Sequence, residues 1–333
     1  MTDIHPKDTG VGGLGYDPQF AADVAAGLGA ENKRLHSRYF YDADGDRLFQ
    51  AIMASPEYYL TDCEYEIFSR QGDRIAQSLA AAGALELDEL GSGDGHKTRL
   101  LLDALHRIEA EFTYRPIDIS ANSLRLLSRR LKKTRPWLRM KPIHADYMEL
   151  LNSRELAPSP PGGPHRVTMF LGSNLGNFTQ AEALRFLRMV RASMCRKDAF
   201  LIGLDLQKDP AVIRAAYDDA AGHTRAFNLN LLSRINRELG GNFVLSNFRH
   251  VPEYDAASGA ARSFLVSLKP QDVHIAAVGR DFHFREGERI FTEISQKYSR
   301  EQIAGLAADA GFRVGHEYYD SRHYFTDQVW YPV

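Results

Sequence analysis

The order of apolar and amphipathic segments predicts an α/β fold, in which a Rossmann-like sheet of parallel strands carries helices on its faces. From about residue 62 to 206, short apolar runs alternate with longer helical patterns. The segments in order are LELDEL, TRLLLDALHRIEA, FTYRPIDI, SANSLRLLSRRLKK, VTMFLG and AFLIGLDL. Strands that alternate with helices need crossover connections, which favour a parallel sheet. The chain of 333 residues, 44% of them hydrophobic, is long enough for one large domain or two moderate ones.

A glycine-rich segment follows the first predicted strand and indicates a ligand site. It reads ELGSGDGHKTRLLLDAL, from Glu89 to Leu105. Gly91 and Gly93 suit a tight turn into a helix, whose first N–H groups and dipole can face a charged or polar ligand. A dinucleotide fingerprint wants a third glycine where this chain has His96, so NAD is disfavoured.

Two later segments complete this pattern. Asp118 closes the next strand and suits the two hydroxyls of a ribose. Asp146, in IHADY, can accept a hydrogen bond from an adenine amino group, with Tyr147 alongside the ring. Lys97 stands in the first turn of the helix, where the dipole disfavours a cation, so we expect it to contact an anion such as the methionine carboxylate of a cofactor. Together the three segments favour S-adenosylmethionine as the cofactor.

The remaining segments predict a second, discontinuous domain. Residues 1–15 are expected to be flexible, and short helical patterns rich in tyrosine and phenylalanine follow. After residue 207 come helices and then three short alternating strands, ARSFLVSLKP, QDVHIAAV and RDFHFREG, which suggest one small antiparallel sheet. A final helix and two strands return to the first sheet and close it with a hairpin. The predicted domains are therefore 62–206 with 298–333, and 16–61 with 207–297.

Composition excludes several classes of partner. The formal net charge of −2 gives no basic surface for nucleic acid, so a small-molecule substrate is the better expectation. No apolar run approaches the roughly 18 residues of a membrane span, and the polar N-terminus lacks a signal core, which points to a cytoplasmic protein. The two cysteines and twelve histidines show no metal-ligand spacing. We expect a monomer without a metal.

Several longer motifs resemble the histidine-specific Nα-methyltransferases of ergothioneine biosynthesis. They are YFYDADGDRLFQAI, PEYYLTDCE, ELGSGDGHKTRLLLDAL, GSNLGNF, DLQKDPAVIRAAYDDAAGHTRAFN and FTEISQKY. The resemblance covers nearly the whole chain after about residue 35. It implies a class I S-adenosylmethionine-dependent methyltransferase sheet with a discontinuous α+β substrate-binding domain. It also implies an enzyme that trimethylates L-histidine to hercynine.

The resemblance also implies roles for single residues that the local pattern left open. By local pattern alone, Asn177 could cap a helix or could lie in the ligand cleft. Glu293 and Ser295 lie on the same side of a predicted strand, and that side could equally be exposed to solvent. By resemblance, the cofactor positions are Gly91, Gly93, Lys97, Asp118, Asp146 and Tyr147. The substrate positions are Tyr41, Tyr58, Asn177, Tyr217, Ser263, Glu293 and Ser295, of which Tyr41 and Asn177 would orient the reacting amine.

Two departures from the family pattern keep the substrate open. Ser263 stands where a methionine commonly packs against the imidazole, which removes an apolar contact and opens space. Asn174 stands where a threonine is common. A histidine derivative or another aromatic amino acid therefore remains an alternative acceptor. A protein that binds the cofactor or an amino acid without turnover is a further alternative.

Overall fold

The computed structural model describes residues 15–153, 155–156 and 162–333, so the segment 1–15 predicted to be flexible lies outside it except for Gly15. The helices are α1 Pro18–Gly29, α2 Ala43–Met53, α3 Tyr59–Ala80, α4 Thr98–Arg107, α5 Ala121–Thr134, α6 Tyr147–Ser153, α7 Gln180–Ala192, α8 Pro210–Tyr217, α9 His223–Leu239 and α10 Arg300–Asp309. The strands are β1 Leu85–Leu90, β2 Phe112–Asp118, β3 Ile143–His144, β4 His165–Phe170, β5 Ala199–Asp205, β6 Phe248–Asp255, β7 Ala260–Ser267, β8 Gln271–Ile275, β9 Arg280–Phe284, β10 Arg289–Gln296, β11 Phe312–Tyr319 and β12 Phe325–Pro332.

A seven-stranded sheet forms the centre of the methyltransferase-like fold, in the order β11-β12-β5-β4-β1-β2-β3. The pairs β1–β2, β1–β4, β2–β3 and β4–β5 are parallel, whereas β12 runs antiparallel to both β5 and β11. The predicted Rossmann-like α/β sheet, closed by a C-terminal hairpin, is confirmed. Parallel strands expose all their carboxyl ends at one edge, and this edge is where open α/β sheets bind ligands.

Alternating side chains of the central strands bury two hydrophobic clusters. Leu87, Val167 and Leu201 pack in one cluster with residues of α3 and α4. Leu90 and Phe170 pack in the other with residues of α6, α7 and α10. A strand presents successive residues to opposite faces, so near-continuous apolar runs are required when helices cover both faces. The sheet is thereby held as a rigid support for the loops at its carboxyl edge.

The chain divides into two compact units, and the predicted domain boundaries differ from them. The unit that holds the large sheet, here called the sheet unit, comprises Ile52–Ala221, Glu253–Arg262 and Ile294–Val333. The second unit comprises Gly222–Pro252, Ser263–Glu293 and the N-terminal segment that ends at Ala51. Helix α8, predicted in the substrate domain, lies in the sheet unit because Ile213 and Tyr217 pack in the sheet's own core. The division into a methyltransferase domain and a substrate-binding domain stays a prediction.

The prediction of a single small antiparallel sheet was wrong in its pairing. Strands β8 and β9 form a separate antiparallel two-stranded sheet. Strand β7 belongs to a three-stranded sheet of order β10-β7-β6. Its partner β6, FRHVPEYD, was not predicted because proline and charged residues interrupt the apolar alternation.

Candidate functional site

The glycine turn after β1 forms as the sequence predicts. Gly91 and Gly93 have φ values of 73° and 51°, in the left-handed region that favours glycine. The Gly91 N–H donates to the carbonyl oxygen of Ile117 at 2.8 Å, which ties the turn to the end of β2. Helix α4 begins at Thr98, so its N-terminus follows directly from this turn. The turn therefore places glycine backbone, without bulky side chains, at the carboxyl edge of the sheet.

Asp118 links the ends of β1 and β2. Its Oδ2 accepts the Gly93 N–H at 2.8 Å, and its Oδ1 accepts the Ser120 N–H at 2.8 Å. The structure thus brings together the glycine turn and the acidic residue that the sequence pattern paired. A carboxylate has about four lone-pair directions, so these two bonds leave capacity for two ribose hydroxyls.

Asp146 and Tyr147 lie at the same edge, after β3. Asp146 Oδ1 accepts the Met148 N–H at 2.7 Å and so caps the start of α6. The Tyr147 ring packs edge-on against Phe170 with ring centres 5.6 Å apart. A Cβ built on Gly91 would lie 3.9 Å from Cε1 of Tyr147, which places the ring beside the glycine turn. Burial raises the pKa of Tyr147, so its phenol is neutral.

Lys97 contacts an anion, which in the structure is Glu64 of α3. The two side chains form an ion pair, and Glu64 Oε1 also accepts the Gly172 N–H at 2.7 Å. Burial lowers the pKa of Lys97, but Glu64 outweighs it, so the net shift is upward and the ammonium stays charged. A contact with the methionine carboxylate of the cofactor stays a prediction. Sequence reasoning missed Glu64, because a lone helical carboxylate carries no local signal.

A second buried carboxyl group adjoins this ion pair. Asp327 of β12 is fully buried, and burial together with the charge of Glu64 raises its pKa well above the usual range. This shift favours the neutral acid form of Asp327. Gly203 of β5 makes room for both groups, since a Cβ there would lie 2.4 Å from Oε1 of Glu64 and 3.1 Å from Oδ1 of Asp327.

The ends of β1 and β4 converge on one small region. A Cβ on Gly172 would lie 3.4 Å from Nζ of Lys97 and 3.9 Å from Nδ2 of Asn174. A Cβ on Gly91 would lie 3.6 Å from the same Asn174 nitrogen. The glycine turn, the Lys97 ammonium, and the side chains of Asp118 and Asp146 all lie at this edge. They match the carboxylate, ribose and adenine of S-adenosylmethionine. The residues present therefore fit the predicted cofactor.

The turn that carries Asn177 lies beside the end of β10. It is a 3₁₀ helix, Asn174–Asn177, and the Asn177 side chain is exposed. Gly176 permits the close approach, because a Cβ there would lie only 2.8 Å from the carbonyl oxygen of Gln296. Tyr58, half-buried, is the residue that precedes α3. The structure thus places Asn177 near the strand that bears Ser295.

Tyr217 and Ser295 meet in a buried polar cluster. The Tyr217 hydroxyl lies 2.6 Å from Ser295 Oγ, and Lys297 Nζ lies 2.7 Å from both oxygens. Asp205 balances the charge, with its Oδ2 at 2.7 Å from Lys297 Nζ. Sequence reasoning missed Lys297 and Asp205. The only signal was their position at strand ends beside predicted site residues.

The same Asp205 carboxylate has two further partners. The Tyr59 hydroxyl donates to Oδ2 at 2.8 Å, and Lys208 forms an ion pair with Oδ1. Burial lowers the pKa of Lys208 to about 8, and Asp205 opposes that shift. One carboxylate thus serves two buried lysines at the end of β5.

In the second unit, Ser263 lies between a histidine and Glu293. His250 Nε2 lies 3.2 Å from Ser263 Oγ, and Ser263 Oγ lies 3.5 Å from Glu293 Oε2. Ser263 is only 1% exposed. We expected Ser263 to open space in the substrate pocket. In the structure it instead takes part in polar contacts that join β6, β7 and β10. Tyr41 is 39% exposed, and its ring packs edge-on against Phe227 at 5.9 Å.

Among residues 15–153, 155–156 and 162–333, no group of three or more His, Cys, Asp or Glu side chains could hold a metal ion. Within the same residues, no helix combines the length and apolar character needed to cross a membrane. Cys63 and Cys195 are free thiols.

The fold and the site at its carboxyl edge define the class: this protein is an S-adenosylmethionine-dependent methyltransferase. Residues 20–332 match the family described as histidine-specific, SAM-dependent methyltransferases, and the chain belongs to that family. It is 38% identical to the histidine N-alpha-methyltransferase of Mycolicibacterium smegmatis, over 90% of each chain. It is 35% identical to the enzyme of the same name from Mycobacterium tuberculosis, over 87% of each chain. It is also 30% identical to ergothioneine biosynthesis protein 1 of Neurospora crassa, over 84% of this chain and 31% of that protein.

Proposed function

We propose that this enzyme methylates the α-amine of L-histidine three times to form hercynine, as a step in ergothioneine biosynthesis. The observation that carries the proposal is 38% identity to a histidine N-alpha-methyltransferase along 90% of both chains. Both cysteines are free thiols, which suits the reducing cytoplasm. We further propose that the enzyme acts there as a monomer, which light scattering after size-exclusion chromatography would test.

The cofactor would be held at the carboxyl edge of the sheet unit. Asp118 would accept hydrogen bonds from the ribose hydroxyls, and Asp146 would accept one from the adenine amino group. Tyr147 would pack against the adenine ring. The charged Lys97, anchored by Glu64, would face the methionine carboxylate. These assignments use groups whose remaining bonding capacity matches each part of the ligand. S-adenosylmethionine supplies an electrophilic methyl group that reacts readily with a neutral amine.

The substrate would be held through both ends. Glu293 and Ser295 stand two apart on β10, so their side chains leave the same face of the strand. They would bond the two ring nitrogens of imidazole. The α-amine and carboxylate would be held by hydroxyl and amide groups of Tyr41, Tyr58, Asn177 and Tyr217. Fixing the amine toward the methyl group turns a bimolecular encounter into an oriented step.

The protein would act mainly by orientation and exclusion of water. An amine that has lost its proton needs no strong base to attack, so the hydroxyl and amide groups only have to align its lone pair. After the first and second transfers the product ammonium loses one proton and must turn to present its lone pair again, whereas the trimethylated product has no proton left on nitrogen. Exposed Asn177 suits this changing role better than a buried, fully bonded group.

A direct assay tests the proposal. Purified protein is incubated with isotope-labelled S-adenosylmethionine and each of the twenty amino acids, and with methylated and thiolated histidines, and the products are resolved by mass. We expect mono-, di- and trimethyl histidine with all methyl groups on the α-nitrogen. A product methylated on the ring, or turnover of a different amino acid alone, would refute the assignment.

A matched pair of variants tests the ring contact. Glu293→Gln should raise KM for histidine at least tenfold with a smaller change in kcat, because a ring N–H loses an ionic acceptor. Glu286→Gln removes a charge from the exposed turn before β10 and should leave both constants unchanged. Equal kinetics for the two variants would remove Glu293 from the substrate site.

A second candidate substrate class is another aromatic amino acid or a histidine derivative. The observation in its favour is the buried contact of Ser263 with His250, which makes this position polar. The substrate screen above separates the two, since a preferred thiolated histidine or tryptophan would exceed histidine in kcat/KM. Ser263→Met would then shift the preference toward histidine.

A further inference from the structure

Lys297 is buried directly beneath the hydroxyls of Tyr217 and Ser295. Its side chain is 0% exposed, and Nζ lies 2.7 Å from each of Asp205 Oδ2, Tyr217 OH and Ser295 Oγ. An ammonium group has three protons and no acceptor, so these three bonds use all its capacity. Each of the two hydroxyl oxygens must therefore accept one hydrogen bond from Lys297.

The same geometry determines which way the Ser295 proton points. The hydroxyls of Tyr217 and Ser295 are 2.6 Å apart, and the tyrosine donates, because its hydroxyl is the more acidic. Ser295 Oγ then accepts from both Lys297 and Tyr217, so both of its lone pairs are in use. Its own proton is the only bonding capacity left, and a buried hydroxyl proton needs an acceptor.

We propose that Lys297 is a positioning residue that makes Ser295 an obligate hydrogen-bond donor, so that the enzyme selects a substrate ring whose facing nitrogen carries no proton. The inference rests on the proposed function, in which Ser295 and Glu293 bond the imidazole. A neutral imidazole satisfies both, accepting from Ser295 and donating to Glu293. An imidazolium has two N–H groups and would set a proton against the Ser295 proton. Phenyl and indole rings offer no acceptor at this position.

The charges around Lys297 act in the same direction. The titratable groups that face it come from several elements: Asp205 at the end of β5, Lys208 just beyond, Tyr59 of α3, Tyr217 of α8 and Tyr254 of β6. Two lysines share one aspartate at this point. A second cation in contact with Ser295 is therefore disfavoured. Glu293 on the same strand attracts a cationic ring, so the selection for a neutral ring comes from the Ser295 proton, which an imidazolium cannot accept.

Calorimetric titration tests the inference without turnover. Protein saturated with S-adenosylhomocysteine is titrated with L-histidine and with 1,2,4-triazole-3-alanine at pH 7.5 and pH 5.5. The triazole ring accepts hydrogen bonds but stays unprotonated over this range. The neutral fraction of an imidazole with pKa of about 6.5 falls about tenfold between these pH values. We expect Kd for histidine to rise about tenfold at pH 5.5 and Kd for the triazole to stay constant.

Three variants separate positioning from a structural role. Lys297→Met and the milder Tyr217→Phe each return a lone pair to Ser295, so the rise in Kd for histidine should fall below about threefold. Lys208→Met removes the other lysine from Asp205 without touching Ser295, so most of the tenfold rise should remain. If Tyr217→Phe kept the tenfold rise in Kd for histidine, or if Kd for the triazole rose equally in the wild type, this inference would be overturned while the proposed function would stand. Failure of the wild type to bind histidine at pH 7.5 would overturn the proposed function as well.

Discussion

Replacing Glu89 by glutamine should change how the stability of this protein depends on pH. Glu89 lies in β1, only 3% exposed, beneath the glycine turn. Thr98 at the start of α4 donates to its Oε1 at 2.6 Å, and Tyr114 of β2 donates to Oε2. The carboxyl group thus joins the two strands and the helix that form the cofactor edge.

Burial, opposed by these two hydrogen bonds, raises the pKa of Glu89 from 4.5 to about 7. The folded state holds this proton more tightly than the unfolded chain does. The protonated Glu89 therefore contributes to the free energy of unfolding in full below pH 4.5, and this contribution is lost as the pH rises through 7. A shift of that size corresponds to ~3 kcal/mol, of which ~2 kcal/mol falls between pH 5.5 and 8. Glutamine keeps the shape and, like the protonated acid, can accept from one hydroxyl and donate to the other, but it cannot ionise.

Urea unfolding followed by circular dichroism at pH 5.5 and pH 8 measures the effect. Wild type should lose ~2 kcal/mol more free energy of unfolding between these pH values than Glu89→Gln does. Glu111→Gln, which changes an exposed carboxyl group just before β2, should behave as wild type. Equal losses in wild type and Glu89→Gln would show that Glu89 is already ionised in the folded protein at pH 5.5, and the reasoning would fail.

Three further predictions follow from the site. Asp118→Asn should raise Kd for S-adenosylmethionine at least tenfold by calorimetry, because an amide cannot accept both the Gly93 N–H and two ribose hydroxyls; an unchanged Kd would exclude the ribose role. Gly176→Ala should lower the free energy of unfolding by about 1–3 kcal/mol, since its Cβ would lie 2.8 Å from the carbonyl oxygen of Gln296; an unchanged midpoint in urea would contradict this. Asp327→Asn should keep or raise stability at pH 8, because burial and the charge of Glu64 favour the neutral acid; a loss above ~2 kcal/mol would show a buried carboxylate instead.

Local pattern was sufficient for the large sheet and for half of the cofactor edge. Apolar runs that alternate with amphipathic helices leave little choice except a parallel sheet, and parallel strands bring their carboxyl ends to one edge. Gly91 and Asp118 could therefore be paired from spacing alone, and the 2.8 Å bond from the Gly93 N–H to Asp118 follows from that architecture. The roles of Glu293 and Ser295 came from a family resemblance, since two polar residues on one strand face also describe a solvent face.

The pairing of β6 with β7 could not be predicted from the sequence. In β6, FRHVPEYD, burial alternates over the first three residues and then stops alternating at Val251 and Pro252, which are both half-buried. A strand of this kind is held by its neighbours rather than by its own pattern. Only the folded chain shows that His250 contacts Ser263 and that the departure at Ser263 is polar rather than empty.

The sequence by itself determined the α/β class, the glycine turn and the carboxylate beside it, because each depends on residues within one or two neighbouring elements. The tertiary structure alone decided the buried ionic partners: Glu64 for Lys97, and Asp205 for Lys297. These pairs join residues 33 and 92 positions apart. Their contact depends on sheet order and on helix packing. Burying these charged side chains costs desolvation free energy, which only a partner of opposite charge at hydrogen-bonding distance can offset. Such a partner is in place only after the chain has folded.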